Sequence, residues 1–175
     1  SSGGSFFAFG SVGSLAVDVG KMLERKRTIV RQLTSGIEAL FKSAGVTPIK
    51  GHGRLLQGNR VEVEAADGGK QVLDAKHVVI ATGSAPVELP MLAFGDGVIS
   101  STEALSLREV PKSLAVVGAG YIGLELGTAF AKLGSRVTVI EALPKILPLY
   151  DGELKRPVLK RLDELGVTVV TGTMA

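Results

Sequence analysis

The stretch that decides the fold runs from Lys112 to Gly123 and reads KSLAVVGAGYIG. Its first half is a short apolar run without alternation, which is typical of a strand buried on both faces of a parallel sheet. Its second half carries Gly118, Gly120 and Gly123 in the spacing G-x-G-x-x-G, and a helical pattern follows. A buried strand that enters a helix through a glycine turn predicts the phosphate-binding start of a β-α-β unit.

An acid at the end of the next predicted strand supports this interpretation. Glu141 follows Gly123 at close to the spacing of about 20 residues expected of a carboxylate that binds the ribose of a dinucleotide. Gly118 would permit the tight turn, Gly120 would let a pyrophosphate approach the main chain, and Gly123 would let helix and strand pack closely. The helix N-terminus adds N–H groups and the positive end of a dipole. The same carboxylate would repel a 2′-phosphate, which favours NAD over NADP. The competing interpretation is a glycine-rich turn without a ligand.

The rest of the C-terminal half continues the alternation of strand and helix. Strands are predicted at 136–141 and from Val167, with a helix at about 152–165 that contains Pro157. Such an order predicts an α/β fold with a parallel sheet and right-handed crossovers. The apolar residues expected to face inward are Ile122, Leu126, Phe130 and Leu133 in the first helix, and Leu154, Val158, Leu162 and Leu165 in the second.

The N-terminal half has a different pattern. Residues 1–17 are rich in glycine and serine and are predicted to be a flexible or truncated leader. A long amphipathic helix is predicted from an N-cap at Asp18 to a C-terminal glycine at Gly45. Alternation in 61–74 predicts a β-hairpin, and the apolar run of 77–81 predicts a buried strand.

Composition excludes several kinds of chemistry. The chain has 175 residues and no cysteine, so a disulfide, a thiolate metal site and a cysteine nucleophile within it are excluded. Only two histidines are present, far apart in the sequence, which argues against a histidine-based metal site. The net charge of +3 gives no reason to expect nucleic-acid binding. No apolar run is long enough for a transmembrane helix. Chemistry carried by main chain and glycine is therefore expected, with no catalytic side chain.

Three further motifs give the chain a family resemblance. The segments HVVIATGSAP from His77, STEAL from Ser101 and VPKSLAVVGAGYIGLELG from Val110 resemble the pyridine nucleotide–disulfide oxidoreductases, most closely their dihydrolipoamide dehydrogenase branch. The resemblance covers about residue 16 to the end. It implies parts of two Rossmann-like domains with parallel sheets and a β-hairpin or meander. These would be a partial FAD-binding domain with its linker at 18–110 and a partial NAD-binding domain at 111–175.

The resemblance also implies roles for individual residues. FAD would be bound near the junction of the two domains and at a short loop around His52 that meets the adenine; the residues expected there are Gly53, Ala81, Thr82, Gly83 and Ser84. NAD would be bound by the glycine turn, with Gly118, Ala119, Gly120, Tyr121, Ile122, Gly123 and Glu141. Tyr121 would resemble an aromatic gate over the flavin, although an exposed surface tyrosine is the alternative. Glu125 either faces the reacting rings or is an acid favoured by the helix dipole.

For the whole protein the resemblance implies a cytoplasmic homodimer associated with a 2-oxo acid dehydrogenase complex. Its reaction would pass electrons from dihydrolipoamide through a disulfide and FAD to NAD, the cofactors carrying the chemistry. The redox disulfide, the first FAD motif and the dimerisation domain are not found in this sequence, so the chain alone is expected to be inactive. The alternatives are an NAD-binding module without redox activity, an interaction fragment, or a piece of a related enzyme such as mercuric reductase.

Overall fold

The computed structural model describes residues 17–174, which divide into two compact units. One unit is Arg25–Val87. The other is made of two stretches of chain, the described residues up to Glu24 and those from Glu88 onward. The elements are α1 (Val19–Ser43), β1 (His52–Leu56), β2 (Arg60–Glu64), β3 (Lys70–Asp74), α2 (Ser101–Ala104), β4 (Ser113–Val117), α3 (Tyr121–Lys132), β5 (Arg136–Glu141), α4 (Gly152–Glu164) and β6 (Thr168–Thr171). The leader predicted at 1–17 lies outside the described residues except for Val17.

Helix α1 begins and ends as the sequence predicts. The Asp18 carboxylate accepts a hydrogen bond from the Lys21 main-chain N–H at 3.0 Å, as an N-cap does. At the other end Gly45 has a φ of +67°, and Val46 N–H donates to the Phe41 carbonyl at 2.9 Å. This is a Schellman termination, which needs a residue that tolerates a left-handed conformation. Leu23 is buried, but the later part of the apolar face is not covered by the described residues, because Ile29, Val30, Leu33, Ile37, Leu40 and Phe41 are all exposed.

Strands β1, β2 and β3 form an antiparallel sheet in that order. The β2–β3 pair is the predicted hairpin, with Val61 opposite Leu73 and Val63 opposite Gln71. Strand β1 differs from the sequence prediction, in which the segment around His52 is a loop. Gly53 and Arg54 interrupt the alternation of apolar and polar residues that would predict a strand. The extended conformation is instead stabilised by pairing with β2.

The prediction of a buried strand at 77–81 is wrong. Residues 77–81 are irregular, and Val79 and Ile80 are 86% and 72% exposed. A parallel strand of this kind is stable only between neighbouring strands and under a covering helix. No such neighbours are present among residues 17–174, so the apolar run has nothing to pair with.

Strands β4, β5 and β6 form a parallel sheet in that order. Val137 and Val139 of β5 are fully buried, and together with Leu124, Phe130, Ile146 and Leu162 they form the core of this unit. The prediction that the first strand is buried on both faces is wrong: β4 lies at the edge of the sheet, and alternate residues of it, including Val117, are exposed.

The two helices on this sheet occupy the predicted positions, and most of the residues predicted to face inward do so. Phe130 and Leu162 are in the core, and Leu133, Val158 and Leu165 pack against it. In α3 the buried residues are Leu124, Gly127 and Phe130, whereas Ile122 is exposed. In α4, which continues through Pro157, Leu162 is buried but Leu154 is exposed. The glycines of α3, which contribute nothing to an apolar count, also lie on the side that approaches the sheet.

The segment before β4 contains one well-defined local structure. Ser100 and Glu103 form a capping box at the start of α2, in which the Ser100 N–H donates to the Glu103 carboxylate at 2.9 Å and Thr102 N–H donates to the Ser100 hydroxyl oxygen at 3.1 Å. The hydrogen bond from the Ser100 side chain, followed by those from main-chain N–H groups, lowers the pKa of Glu103. The STEAL motif therefore forms a short helix that is capped by the residue before it, Ser100, and by its own Glu103.

Candidate nucleotide-binding site

The turn between β4 and α3 has the backbone that its glycines allow. Gly118 has a φ of +101°, a conformation that side chains with a Cβ rarely adopt. Its N–H donates to the Ile140 carbonyl at 2.8 Å and so extends the pairing of β4 with β5 by one residue. The chain can therefore leave the strand and reverse toward α3 without losing this bond.

Gly123 lies where the helix passes closest to the turn. A Cβ at this position would overlap the Gly118 carbonyl oxygen and lie 3.1 Å from the Val116 Cγ1 atom. Because the first obstacle is main chain, it cannot move aside as a flexible side chain could. At Gly127, one turn later, an added Cβ would lie 3.4 Å from Val137 Cγ1, at the limit of ordinary contact. The glycines of α3 thus permit its close approach to the sheet.

Gly120 faces open space instead. It is the N-cap residue of α3, with φ −74° and ψ 173°, which any residue can adopt. No protein atom lies within 4 Å of an added Cβ. The first α3 hydrogen bond runs from Leu124 N–H to the Gly120 carbonyl at 3.1 Å, and among residues 17–174 the N–H groups of residues 120–123 have no protein acceptor. Free N–H groups beside open space at a helix N-terminus can bind an anionic group.

Glu141 lies at the end of β5 and is hydrogen-bonded to the turn itself. One carboxylate oxygen accepts from Ala119 N–H at 2.8 Å, and the other accepts from Leu143 N–H at 2.8 Å. A carboxylate offers about four acceptor positions, so two main-chain bonds leave capacity for hydroxyl donors. The sequence predicted the acid and its place on the strand, but not that it also fixes the glycine turn.

The connection from β5 to α4 also contacts the turn, and sequence reasoning missed it. Leu147 N–H donates to the Ala119 carbonyl at 3.0 Å, and Ile146 packs in the core beside Ala119. Ala119 is completely buried, with both main-chain polar groups bonded to this connection or to Glu141. No sequence signal marks such a contact, because it joins main-chain atoms distant in sequence.

The other residues expected around NAD are on the exposed start of α3. Tyr121, Ile122 and Glu125 are all exposed. They lie on the first turns of the helix, beside the free N–H groups. The gate role for Tyr121 and the two alternatives for Glu125 therefore stay predictions.

The residues expected around FAD lie in the other unit and are not brought together. Residues 81–84 are exposed and irregular, and Gly83 has a φ of +73°. A shallow concave surface is lined by Gly51, His52, Glu64, Ala65 and Ala66, without Gly53 or residues 81–84. An added Cβ at Gly51 would lie 2.6 Å from the Glu64 carbonyl oxygen, whereas one at Gly53 would make ordinary contact at 3.8 Å. Gly51 is thus the sterically required glycine of this segment.

Two further features bear on the kinds of chemistry available. No group of three or more His, Asp or Glu side chains within residues 17–174 could hold a metal ion. In the same range, no helix combines the length and the apolar character needed to cross a bilayer.

Comparison with known proteins agrees with this architecture. The family description "Pyridine nucleotide-disulphide oxidoreductase" matches residues 7–175. A dihydrolipoyl dehydrogenase of Pseudomonas aeruginosa is 52% identical over 157 residues, covering 90% of this chain and 34% of that protein. The mitochondrial dihydrolipoyl dehydrogenase 1 of Arabidopsis thaliana is 46% identical over 154 residues, covering 87% and 30%.

Solved structures give the same result. LpdA of Mycobacterium tuberculosis superposes with a TM-score of 0.81 at 28% identity, covering 93% of this chain and 37% of that one. The HOCl-induced flavoprotein disulfide reductase RclA of Escherichia coli gives a TM-score of 0.76 at 27% identity, covering 90% and 36%. The chain spans about a third of the length of its relatives.

The parallel sheet, the glycine turn and the helix that follows define a Rossmann-like α/β protein. Since the family description matches nearly the whole sequence, the chain belongs to the pyridine nucleotide-disulphide oxidoreductases.

Proposed function

We propose that the turn 118–123 and Glu141 bind NAD. The observation that carries the proposal is the set of free N–H groups at residues 120–123 beside a Gly120 with open space around it. A pyrophosphate carries the negative charge that this helix start favours, and it needs close access to the main chain. Glu141, bonded to Ala119 and Leu143, would accept hydrogen bonds from the adenosine ribose. The same charge would disfavour a 2′-phosphate.

We further propose that the chain is part of an FAD-dependent dihydrolipoyl dehydrogenase. The support is its family membership and the names of its relatives. FAD would exchange electrons with a disulfide and pass them as hydride to NAD. In this proposal the residues of this chain bind and orient the nucleotides. Gly53 and residues 81–84 would contribute to the FAD site, and Tyr121 and Glu125 would lie near the nicotinamide.

The remaining parts of the proposal concern the whole protein. It would be a homodimer in the cytoplasm, associated with a 2-oxo acid dehydrogenase complex. The Arabidopsis relative is named as mitochondrial, so the compartment has to be measured by fractionation.

Interaction with a complementary chain is a second candidate function, favoured by a specific observation. The apolar face of α1 from Ile29 onward and the run 79–80 are exposed, which is costly for an isolated protein. A chain or chain segment that supplied strands and a covering helix would bury both. If sedimentation shows only aggregates and NADH does not bind, this candidate is preferred.

Replacing Gly120 by valine is expected to weaken nucleotide binding strongly without unfolding the chain. The extended backbone at Gly120 suits valine, and an added Cβ would lie in open space. The stability cost should be about 1 kcal/mol, from the poorer N-cap residue. A side chain in the path of the pyrophosphate should weaken NADH binding at least about tenfold, more than the loss of one hydrogen bond. NADH fluorescence titration measures this effect. Gly36→Val, in the middle of α1 with open space around it, is the control and should keep wild-type affinity.

Absorbance and turnover assays test the wider proposal. The chain alone is expected to show no turnover of dihydrolipoamide, because it has no cysteine to form the redox disulfide. A flavin spectrum together with dihydrolipoamide turnover by this chain would contradict that part of the proposal.

A further inference from the structure

Leu147 adopts a main-chain conformation that leucine rarely takes. Its φ is +45°, in the left-handed region that is usually occupied by glycine, asparagine or aspartate. The next residue is Pro148, which favours an extended conformation in the residue before it. Both local preferences oppose the observed geometry, so surrounding contacts must hold it.

Three contacts surround Leu147. Its N–H donates to the Ala119 carbonyl at 3.0 Å, and its own carbonyl accepts from Tyr150 N–H at 3.0 Å. Its side chain is partly buried and packs against the core, next to the buried Ile146. The strained residue therefore aims an N–H group at the residue between Gly118 and Gly120.

The contact with Ala119 completes the attachment of the glycine turn. Ala119 N–H is bonded to Glu141, and its carbonyl is bonded to Leu147. Gly118 N–H is bonded to Ile140. Both the N–H groups and a carbonyl of the turn are thus hydrogen-bonded to β5 or to the residues that follow β5. Without the Leu147 N–H, the buried Ala119 carbonyl would be left without its hydrogen-bond donor.

We propose that Leu147 is a positioning residue for nucleotide binding: its left-handed main chain holds Ala119, and through it keeps the N–H groups of residues 120–123 in the geometry that receives a pyrophosphate. The inference rests on the proposed NAD site and deepens it. Leu147 itself needs no contact with the nucleotide. What matters is its main-chain conformation, not the volume of its side chain.

Two substitutions separate conformation from packing. Leu147→Gly keeps the N–H and favours positive φ but removes the side chain, whereas Leu147→Ile keeps the apolar volume but resists positive φ. The proposal expects NAD affinity within about twofold of wild type for Leu147→Gly and weaker by about fivefold to tenfold for Leu147→Ile, the scale of one hydrogen bond. The reverse order, measured by calorimetry, would overturn it in favour of a packing role.

A second pair covers the case in which Leu147→Ile does not fold. Leu147→Asn and Leu147→Thr are both polar, but only asparagine tolerates the left-handed region. The proposal expects Leu147→Asn to bind NAD more tightly than Leu147→Thr does. Equal affinities of the two variants would contradict it. Leu149 is 95% exposed two residues further on, so Leu149→Gly and Leu149→Ile are matched controls and should both bind like wild type.

Amide hydrogen exchange without nucleotide distinguishes failure of this inference from failure of the NAD site. If the wild-type chain binds no NAD, the proposed function fails, and exchange still decides whether Leu147 holds the turn. Faster exchange of Ala119 and Gly118 N–H in Leu147→Ile than in Leu147→Gly supports the inference. Equal exchange rates in the two variants would overturn it.

Discussion

Gly123→Ala is expected to destabilise the chain by about 1–3 kcal/mol, the range observed when atoms are added to a tightly packed site. The new methyl group would overlap the Gly118 carbonyl oxygen, so either α3 or the glycine turn must shift. The shift would move the free N–H groups of residues 120–123, and NAD binding should fall with stability. Urea unfolding measures the first effect, and NADH titration measures the second.

The control for this substitution is Gly36→Ala. Gly36 is also a helical glycine, but an added Cβ would meet no atom within 4 Å. Alanine should therefore stabilise the chain by about 0.5–1 kcal/mol through its higher helix propensity. If Gly123→Ala also raised the free energy of unfolding, the close approach of α3 to the turn at Gly123 would be contradicted.

Glu141→Ala is expected to have the second large effect. It removes the acceptor of the Ala119 and Leu143 N–H groups, and Ala119 is completely buried. Leaving one buried donor without a partner costs about 1–3 kcal/mol. Nucleotide affinity should fall as well, because the carboxylate is lost and the turn is released.

Glu141→Gln separates these two contributions. Glutamine keeps the size of the side chain and one acceptor oxygen but removes the charge. Its stability loss should be smaller than that of alanine, while its discrimination against NADP should decrease. Glu109→Ala, an exposed acid outside the site, should alter neither property. Unchanged stability in Glu141→Ala would contradict the role assigned to the two main-chain bonds.

The sequence predicted the local features of the site because local constraints determine them. The positions of Gly118, Gly120 and Gly123 follow from one turn and the helix after it, and the geometry requires glycine at Gly118, by its positive φ, and at Gly123, by its close approach to the turn. The start of α1 at Asp18 and its end at Gly45 follow in the same way from capping chemistry. Such features depend on a few neighbouring residues.

What the sequence could not predict depends on distant partners. The run 77–81 has the pattern of a buried strand, but no neighbouring strand lies in the described chain. Strand β1 exists through pairing with β2 rather than through its own pattern. The contact of Leu147 with Ala119 joins main-chain atoms, and neither side chain signals it. A pattern can mark an apolar segment, but it does not identify the surface that covers it.

The central claim is that the turn 118–123 and Glu141 form an NAD site, and paired calorimetric titrations of the wild-type chain with NAD and NADP test it most directly. The account predicts that NAD binds measurably tighter than NADP, because the Glu141 carboxylate accepts ribose hydroxyls and repels a 2′-phosphate. Tighter binding of NADP, or binding of neither nucleotide by the folded chain, would contradict it.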